Sequence, residues 1–330
     1  MNYPDRLTAT LEHQAAPARP GLLDRLPPPS FFLVSAVFHY LGPSFAVLLF
    51  ARVSVLGVAW LRIVAAAVVF AAWRRPWRAA LQLDRAGRWV LVQLGGVLAA
   101  MNALFYLAVG RLPLSTVGAV EFLGTVLLAV LGTRTARNAA ALALTVAGVA
   151  AIADIRLAGQ PLGFAFAFGN CALFMLYVIL GHKIANGGRR AGPAGAAGSG
   201  RTAMSGIDQL GAAMLVAAVA ITPAGLGGAV RAMSSPLLLL AGLGVGVCSS
   251  VIPYVTDQLA MARLPRATFA LMLALLPVFA TLTGAVILGQ VPTVQDAAGI
   301  GLVVAGLALH RGPAEPGTAG TPPGEWRIRT

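Results

Sequence analysis

The sequence predicts an all-α integral membrane protein. We expect ten transmembrane helices as two inverted five-helix repeats, with both termini in the cytoplasm. Apolar residues make up 58% of the 330 positions and charged residues 11%, whereas about a quarter of a soluble protein is charged. The apolar residues form runs of about 20, the length that crosses a bilayer. A turn motif from the first half of the chain also recurs in the second half.

Ten runs are long and apolar enough to span a membrane. They are residues 30–50, 53–73, 89–109, 113–132, 138–154, 161–181, 206–224, 236–256, 267–288 and 294–310. Residues 1–29 and 311–330 are predicted to be polar cytoplasmic tails. Within 157–205, the Gly/Ala-rich tract 183–205 has the composition of a flexible linker, and we expect it on the cytoplasmic side.

The recurring turn motif divides the chain into two related units. Leu-Ala-Val-Gly-Arg-Leu-Pro at 107–113 returns 152 positions later as Leu-Ala-Met-Ala-Arg-Leu-Pro at 259–265. We therefore predict that residues 30–156 and 161–310 are two copies of a five-helix repeat. Because five is odd, the second copy must enter the membrane with the opposite orientation.

The distribution of cations agrees with this topology. If the N-terminus is cytoplasmic, nineteen Lys and Arg residues outside the spans lie on the cytoplasmic side and four on the other side. This is the positive-inside pattern of membrane proteins. The net charge of +13 is explained in this way, and the sequence lacks the basic patches interleaved with aromatic residues that bind nucleic acid. The lipid bilayer is the predicted partner, and nucleic acid is not.

Arg62 and Glu121 are charged residues near the middle of predicted spans. At 1.5 Å per residue, each lies roughly 12–15 Å from its helix end, close to the bilayer midplane. A bare charge at that depth costs at least about 2.5 kcal/mol, so each should face a partner or a polar cavity. In one interpretation Glu121 binds substrate or a proton, and Arg62 is its partner or an anion clamp. In the other, the two form a fixed ion pair that braces two helices.

His39 lies in the first predicted span beside Tyr40, just before Gly42-Pro43. A Gly-Pro pair can open a helix and free backbone carbonyl groups toward a cavity. The alternative is a hydrogen-bonded packing histidine at a kink.

A polar and aromatic patch, Asn102 and Tyr106, lies in the third span. Tyr254 and Gln258 form its counterpart in the eighth. Such groups suit a small polar or zwitterionic solute, or they hold neighbouring helices together. Asn170 in the sixth span allows the same two interpretations. Asp257, at the end of the eighth span, is interpreted as a solvated helix terminus.

No catalytic constellation is present in the sequence. It contains no His-Glu-x-x-His or Gly-x-Ser-x-Gly motif and no cluster with metal-ligand spacing. We therefore predict no catalytic residue, no metal and no cofactor, and a transporter rather than an enzyme. A membrane enzyme and a non-transporting partner protein are the rival classes.

Several stretches carry a resemblance to a known family. They are residues 57–62 (Gly-Val-Ala-Trp-Leu-Arg), 95–107, 120–122 (Val-Glu-Phe), 253–254 (Pro-Tyr) and 262–269. Over about residues 30–310 the chain resembles the EamA type of the drug/metabolite transporter superfamily, and within it the threonine/homoserine exporter subgroup of the bacterial inner membrane. The resemblance implies proton-driven export of small amino acids, or of related metabolites, by alternating access. It leaves open whether the protein forms a homodimer.

One position departs from that subgroup. Members carry a carboxylate before the proline of the ninth span, where this chain has Leu276 before Pro277. If that carboxylate helps to hold substrate or proton, this chain handles a different small metabolite or a drug.

Overall fold

The computed structural model describes residues 27–132, 135–154, 160–187, 205–263, 272 and 275–309. Within these ranges it is helical and contains no β-strand, which confirms the predicted all-α class. The elements are α1 (Pro28–Leu49), α2 (Val55–Arg74), α3 (Trp77–Leu81), α4 (Arg85–Val109), α5 (Leu114–Gly132), α6 (Ala136–Asp154), α7 (Pro161–Gly187), α8 (Gly206–Met233), α9 (Pro236–Gly246), a π turn (Val247–Val251), α10 (Ile252–Arg263), α11 (Leu276–Leu288) and α12 (Val294–Leu309).

Six helical stretches of the described chain are long and apolar enough to cross a membrane. They are Pro29–Leu49, Val55–Arg74, Arg85–Val109, Pro161–Leu180, Gly206–Met233 and Pro236–Asp257. Four further apolar helices are shorter: Leu114–Gly124, Ala136–Ala151, Leu276–Leu288 and Val294–Leu309. Helix therefore occurs in each of the ten predicted segments, although most of the first part of the ninth lies outside the described residues. The count of ten spans stays a prediction.

Polar side chains set the first residues of several helices. Ser54 accepts a hydrogen bond from the backbone N–H of Gly57 at 3.1 Å, and Asp84 accepts one from Gly87 at 2.8 Å. These N-caps satisfy N–H groups that a helix leaves unpaired at its start. Because Asp84 caps α4, the helix starts at Arg85, one turn before the predicted apolar segment.

Helices α2 and α8 pack against each other in antiparallel orientation. At one end Arg74 of α2 pairs with Asp208 of α8, with 2.9 Å between Nε and Oδ1. Nearer the other end, Trp60 Nε1 donates to Thr222 Oγ1 at 2.9 Å. The start of α8 thus lies beside the end of α2. Contact with α2 continues past residue 224, where the predicted segment ended, and α8 extends to Met233.

Helices α6 and α12 are also antiparallel. Arg137 Nε, at the start of α6, donates to the carbonyl oxygen of Leu309, at the end of α12, at 2.6 Å. Gln295 Nε2, at the start of α12, donates to the carbonyl oxygen of Ala151 at 2.7 Å. Both pairs join helices that occupy the same position in the two predicted repeats.

The remaining helices enclose the interior. Helix α1 contacts α10, the π turn and α11, while α4 contacts α7 and α8. Large apolar side chains such as Val219, Leu237 and Val286 are exposed on the outer surface. Apolar patches of this kind mark a surface that meets lipid or another protein. With the apolar helices and low charge, they fit a chain that crosses a membrane several times.

Candidate substrate-binding site

Glu121 of α5 lies inside the helix bundle and is 8% exposed. Its Oε1 accepts a hydrogen bond from Asn170 Nδ2 of α7 at 3.4 Å, and its Oε2 has no partner in the described part of the protein. Small neighbours permit the close packing of these helices, since a Cβ at Gly124 would lie 2.9 Å from Cys171 Sγ. One carboxylate oxygen thus stays free for a ligand or a proton.

Glu121 Oε2 is one of several buried polar atoms without a hydrogen-bond partner among the described residues. These atoms are Tyr40 Oη, Tyr106 Oη, Thr116 Oγ1, Glu121 Oε2, Asn170 Oδ1 and Ser249 Oγ. Each such group costs about 1–3 kcal/mol when left unpaired. They come from helices α1, α4, α5 and α7 and from the π turn. Five of these residues contact Glu121, its helix or Arg62 and are here called the polar cluster: Tyr40, Tyr106, Glu121, Asn170 and Ser249.

Tyr40 brings α1 close to Glu121. A Cβ at Gly118, one turn before Glu121, would lie 3.1 Å from Tyr40 Oη, so the phenol lies in tight contact with α5. The ring of His39 packs edge-on against Tyr40, with centroids 5.2 Å apart. His39 donates no hydrogen bond to another described residue. The expectation that Gly42-Pro43 opens the helix is wrong, because α1 continues through Pro43 to Leu49.

Arg62 of α2 binds the π turn. Its Nε donates to Ser250 Oγ at 2.9 Å, and its Nη2 donates to the carbonyl oxygen of Ser249 at 3.0 Å. The guanidinium also lies over the ring of Tyr106, 5.3 Å from the centroid. No ion pair joins it to Glu121 in the described chain. The predicted bracing ion pair is therefore wrong: Arg62 braces α2 against the π turn, and three of its five N–H groups are not used by these two bonds.

Pro253 explains why the Ser249 carbonyl is open to Arg62. In an α-helix the N–H of residue 253 would bond to the carbonyl of residue 249, and proline has no N–H. The π turn and its two serines were missed by the sequence analysis. The signal that could have found them is a proline three residues after a Ser-Ser pair inside an apolar run, because that proline leaves a backbone carbonyl of the helix unpaired.

The aromatic patch in α4 divides into two parts. Tyr106 is fully buried, and its ring packs edge-on against Phe50 and Phe105. Asn102 is also buried, but its Nδ2 donates to the carbonyl oxygen of Leu98 one turn earlier, at 2.8 Å. Asn102 thus uses one amide donor within its own helix. The structure places Tyr106 beside Arg62, whereas the hydrogen bond of Asn102 lies within α4.

Tyr254 of α10 belongs to the same region. It lies close enough to Arg62, Glu121 and Tyr106 to interact electrostatically with all three. The side chain of Gln258 lies outside the described residues. Asp257 is not a helix terminus as interpreted, because α10 continues past it to Arg263, although the membrane-length stretch ends at Asp257.

The arrangement suits a small solute that carries one positive and one negative charge. Glu121 Oε2 can accept from an ammonium group, and the remaining N–H groups of Arg62 can donate to a carboxylate. The hydroxyl groups of Tyr40 and Tyr106 can bond to a polar side chain of the solute. Among the described residues, no group of three His, Cys, Asp or Glu side chains could hold a metal ion.

Comparison with known proteins agrees with a transport function. Residues 196–311 match the EamA-like transporter family. The chain is 29% identical over 295 residues to the threonine/homoserine exporter RhtA of Escherichia coli (strain K12), which covers 87% of this chain and 92% of that protein. It is also 29% identical over 283 residues to RhtA of Salmonella typhimurium (strain SL1344), and this match covers 83% of this chain and 88% of that protein.

A crystal structure of another protein has the same fold. It superposes with a TM-score of 0.55 at 17% sequence identity, over 85% of this chain and 96% of that one. The relatives are exporters and a transporter family rather than enzymes, which confirms the predicted class. The resemblance inferred from the sequence is thereby confirmed: residues 196–311 match the EamA-like transporter family, and over most of its length the chain is similar to the bacterial threonine/homoserine exporters.

Proposed function

We propose that the protein exports small amino acids of the threonine and homoserine type across the bacterial inner membrane. The observation that carries the proposal is Glu121 Oε2, a buried carboxylate oxygen without a partner among the described residues. An intramembrane carboxylate in this state is suited to bind an ammonium group or a proton. The exporter relatives support the choice of amino acids as substrates.

In this proposal Glu121 binds the amino group of the solute and a proton in turn. This exchange couples export to the proton gradient. Asn170 holds the other carboxylate oxygen and fixes the direction of Oε2. Arg62 donates its remaining N–H groups to the carboxylate of the solute. All of these residues lie on one chain, so the proposal needs no homodimer.

Alternating access requires two units that move against each other. The antiparallel packing of α2 on α8 and of α6 on α12 is what an inverted repeat would produce, because equivalent helices then run in opposite directions. At the polar cluster and the neighbouring Arg62 and Tyr254, helices α1, α2, α4 and α5 of the first predicted repeat meet α7, the π turn and α10 of the second. This supports a site between the two repeats.

Transport by reconstituted protein tests the proposal. Proteoliposomes are loaded with labelled threonine, homoserine and a panel of other amino acids, and release is followed with and without a pH gradient. We expect gradient-dependent release by the native protein and at least about a hundredfold loss in Glu121→Gln, which keeps the size of the side chain but cannot carry the charge. Asp208→Asn, at the exposed ion pair with Arg74, is the matched control and should retain transport. Full activity and pH dependence in Glu121→Gln would exclude this role.

Leu276 favours a second candidate substrate class. It is buried at the start of α11, where the exporter subgroup is expected to have a carboxylate. A site with one carboxylate fewer would prefer a solute with less positive charge. Release of a less cationic metabolite, with no release of threonine or homoserine, would select this candidate and keep the transporter class.

A further inference from the structure

The end of the molecule where α2 stops and α4 starts is rich in cations. Arg74 forms an ion pair with Asp208. Asp84 caps α4. Four other arginines of this region are exposed: Arg75, Arg78, Arg85 and Arg88. They follow the end of α2, lie on α3 or occupy the first turn of α4.

Exposed tryptophans surround these arginines. Trp73, Trp77 and Trp89 are 55%, 42% and 64% exposed, and together they are three of the five tryptophans in the chain. In membrane proteins, tryptophan concentrates at the level of the lipid headgroups because its ring is apolar and its N–H is polar. The ends of two membrane-length helices, Val55–Arg74 and Arg85–Val109, meet at this level. We call the four arginines and three tryptophans the Arg/Trp surface.

The side chains on one face of α4 change in type along the helix axis. Arg85, Arg88, Trp89 and Val92 line an open cleft of about 730 Å³. Their spacing of three and four residues places them on one side of the helix. At 1.5 Å per residue, Trp89 lies about 6 Å and Val92 about 10 Å further along the axis than Arg85. From the helix end inward, the cleft is thus cationic, then aromatic, then aliphatic.

This order matches a phospholipid, whose phosphate, glycerol interface and acyl chains follow one another at similar depths. A soluble anion would engage the arginines alone, and the exposed Trp89 and Val92 would stay uncovered. The observations therefore favour a lipid over free phosphate.

We propose that the Arg/Trp surface binds an anionic phospholipid. Its phosphate lies between Arg85 and Arg88, and its acyl chains contact Trp89 and Val92. This site is separate from the polar cluster, and the proposal does not depend on the substrate or on transport.

Fluorescence quenching on the full-length protein in neutral detergent tests the proposal. Phosphatidylglycerol with brominated acyl chains, or brominated phosphatidylcholine for comparison, is titrated while tryptophan emission is recorded. The native protein should be quenched at lower concentrations of phosphatidylglycerol than of phosphatidylcholine. Since each cation contributes about 1 kcal/mol to binding an anionic lipid surface, Arg85→Gln/Arg88→Gln should need roughly thirtyfold more phosphatidylglycerol, with each single variant intermediate.

The control is Arg52→Gln/Arg231→Gln, which removes two exposed arginines from the opposite end of α2 and α8. It should bind phosphatidylglycerol as the native protein does. An equal loss in both double variants would mean unspecific charge attraction and overturn the proposal, as would equal quenching by the two lipids. Millimolar inorganic phosphate is the third arm: if it abolishes the quenching, the site takes soluble anions and the assignment to lipid is wrong.

Discussion

Asn170 and Glu121 are 49 positions apart in the chain and meet through the packing of α7 on α5. Their hydrogen bond occupies one oxygen of the carboxylate and leaves the other without a described partner. An amide suits this task because it donates without adding a charge of its own. The negative charge of Glu121 therefore stays available to a cationic solute or a proton.

Arg62 is a residue whose charge and shape can be separated by substitution. Lysine keeps the charge but cannot place two N–H donors as Nε and Nη2 do, so Arg62→Lys should leave the carbonyl of Ser249 or the hydroxyl of Ser250 without its partner. We expect the free energy of unfolding to fall by about 1–3 kcal/mol. Thermal unfolding in detergent measures this loss, with transport normalised to folded protein. Native stability in Arg62→Lys would contradict the bracing role.

At the scale of elements, α1 and the π turn touch through backbone atoms. A Cβ at Gly42 would overlap Ser249 Oγ and lie 2.7 Å from the backbone nitrogen of Ser249. Rotating the serine side chain relieves the first contact but not the second. The glycine before Pro43 therefore serves close packing rather than an opening of the helix.

Gly42→Ala should push α1 away from the π turn. Overpacking of this kind costs roughly 1–3 kcal/mol, and we expect the unfolding temperature to fall accordingly. Gly96→Ala in α4 is the matched control, because a Cβ there meets nothing within 4 Å and alanine favours helix by about 1 kcal/mol over glycine. If both variants unfold at the same temperature, the contact between Gly42 and Ser249 does not limit stability.

At the scale of the whole molecule, hydropathy and charge predicted the helical class and the position of a helix in each of the ten segments. These features depend on local composition, which the sequence displays directly. The partners of Glu121 and Arg62 could not be predicted, because they depend on which helices become neighbours. Glu121 was identified because a lone carboxylate stands out in an apolar run, whereas Thr116 and Ser249 resemble any small polar residue of a membrane helix.

The orientation of the chain gives a prediction for the complete molecule. We expect the loop after α2 to face the cytoplasm and the ends of α1 and α8 to face the other side. Cys171→Ser and Cys248→Ser first remove both native cysteines. Arg78→Cys or Arg231→Cys is then introduced singly, and its reaction with a membrane-impermeant thiol reagent shows which side of the membrane it faces. Arg78→Cys should react only in inverted vesicles, and Arg231→Cys only in intact spheroplasts.

The reverse labelling pattern would invert the assigned topology. Labelling of both positions from one side would contradict the predicted inverted repeat, since the two positions lie at opposite ends of the antiparallel pair α2 and α8. Denatured protein labelled at both positions is the control for reagent access.

The π turn at Val247–Val251 also has a consequence for insertions and deletions. Such a turn holds one residue more than an α-helix of the same hydrogen-bonding pattern would, and it is the form in which a helix absorbs a single inserted residue. Deleting one residue there would restore a regular helix and leave α10 nearly in place, because the five residues of a π turn cover about the same angle as four residues of an α-helix. Tyr254 would then keep the side of the helix that faces Arg62 and Glu121, whereas a deletion inside α10 would rotate the residues that follow by about 100°. The π turn is thus a place where this wall of the site can lose a residue without turning the side chains that follow.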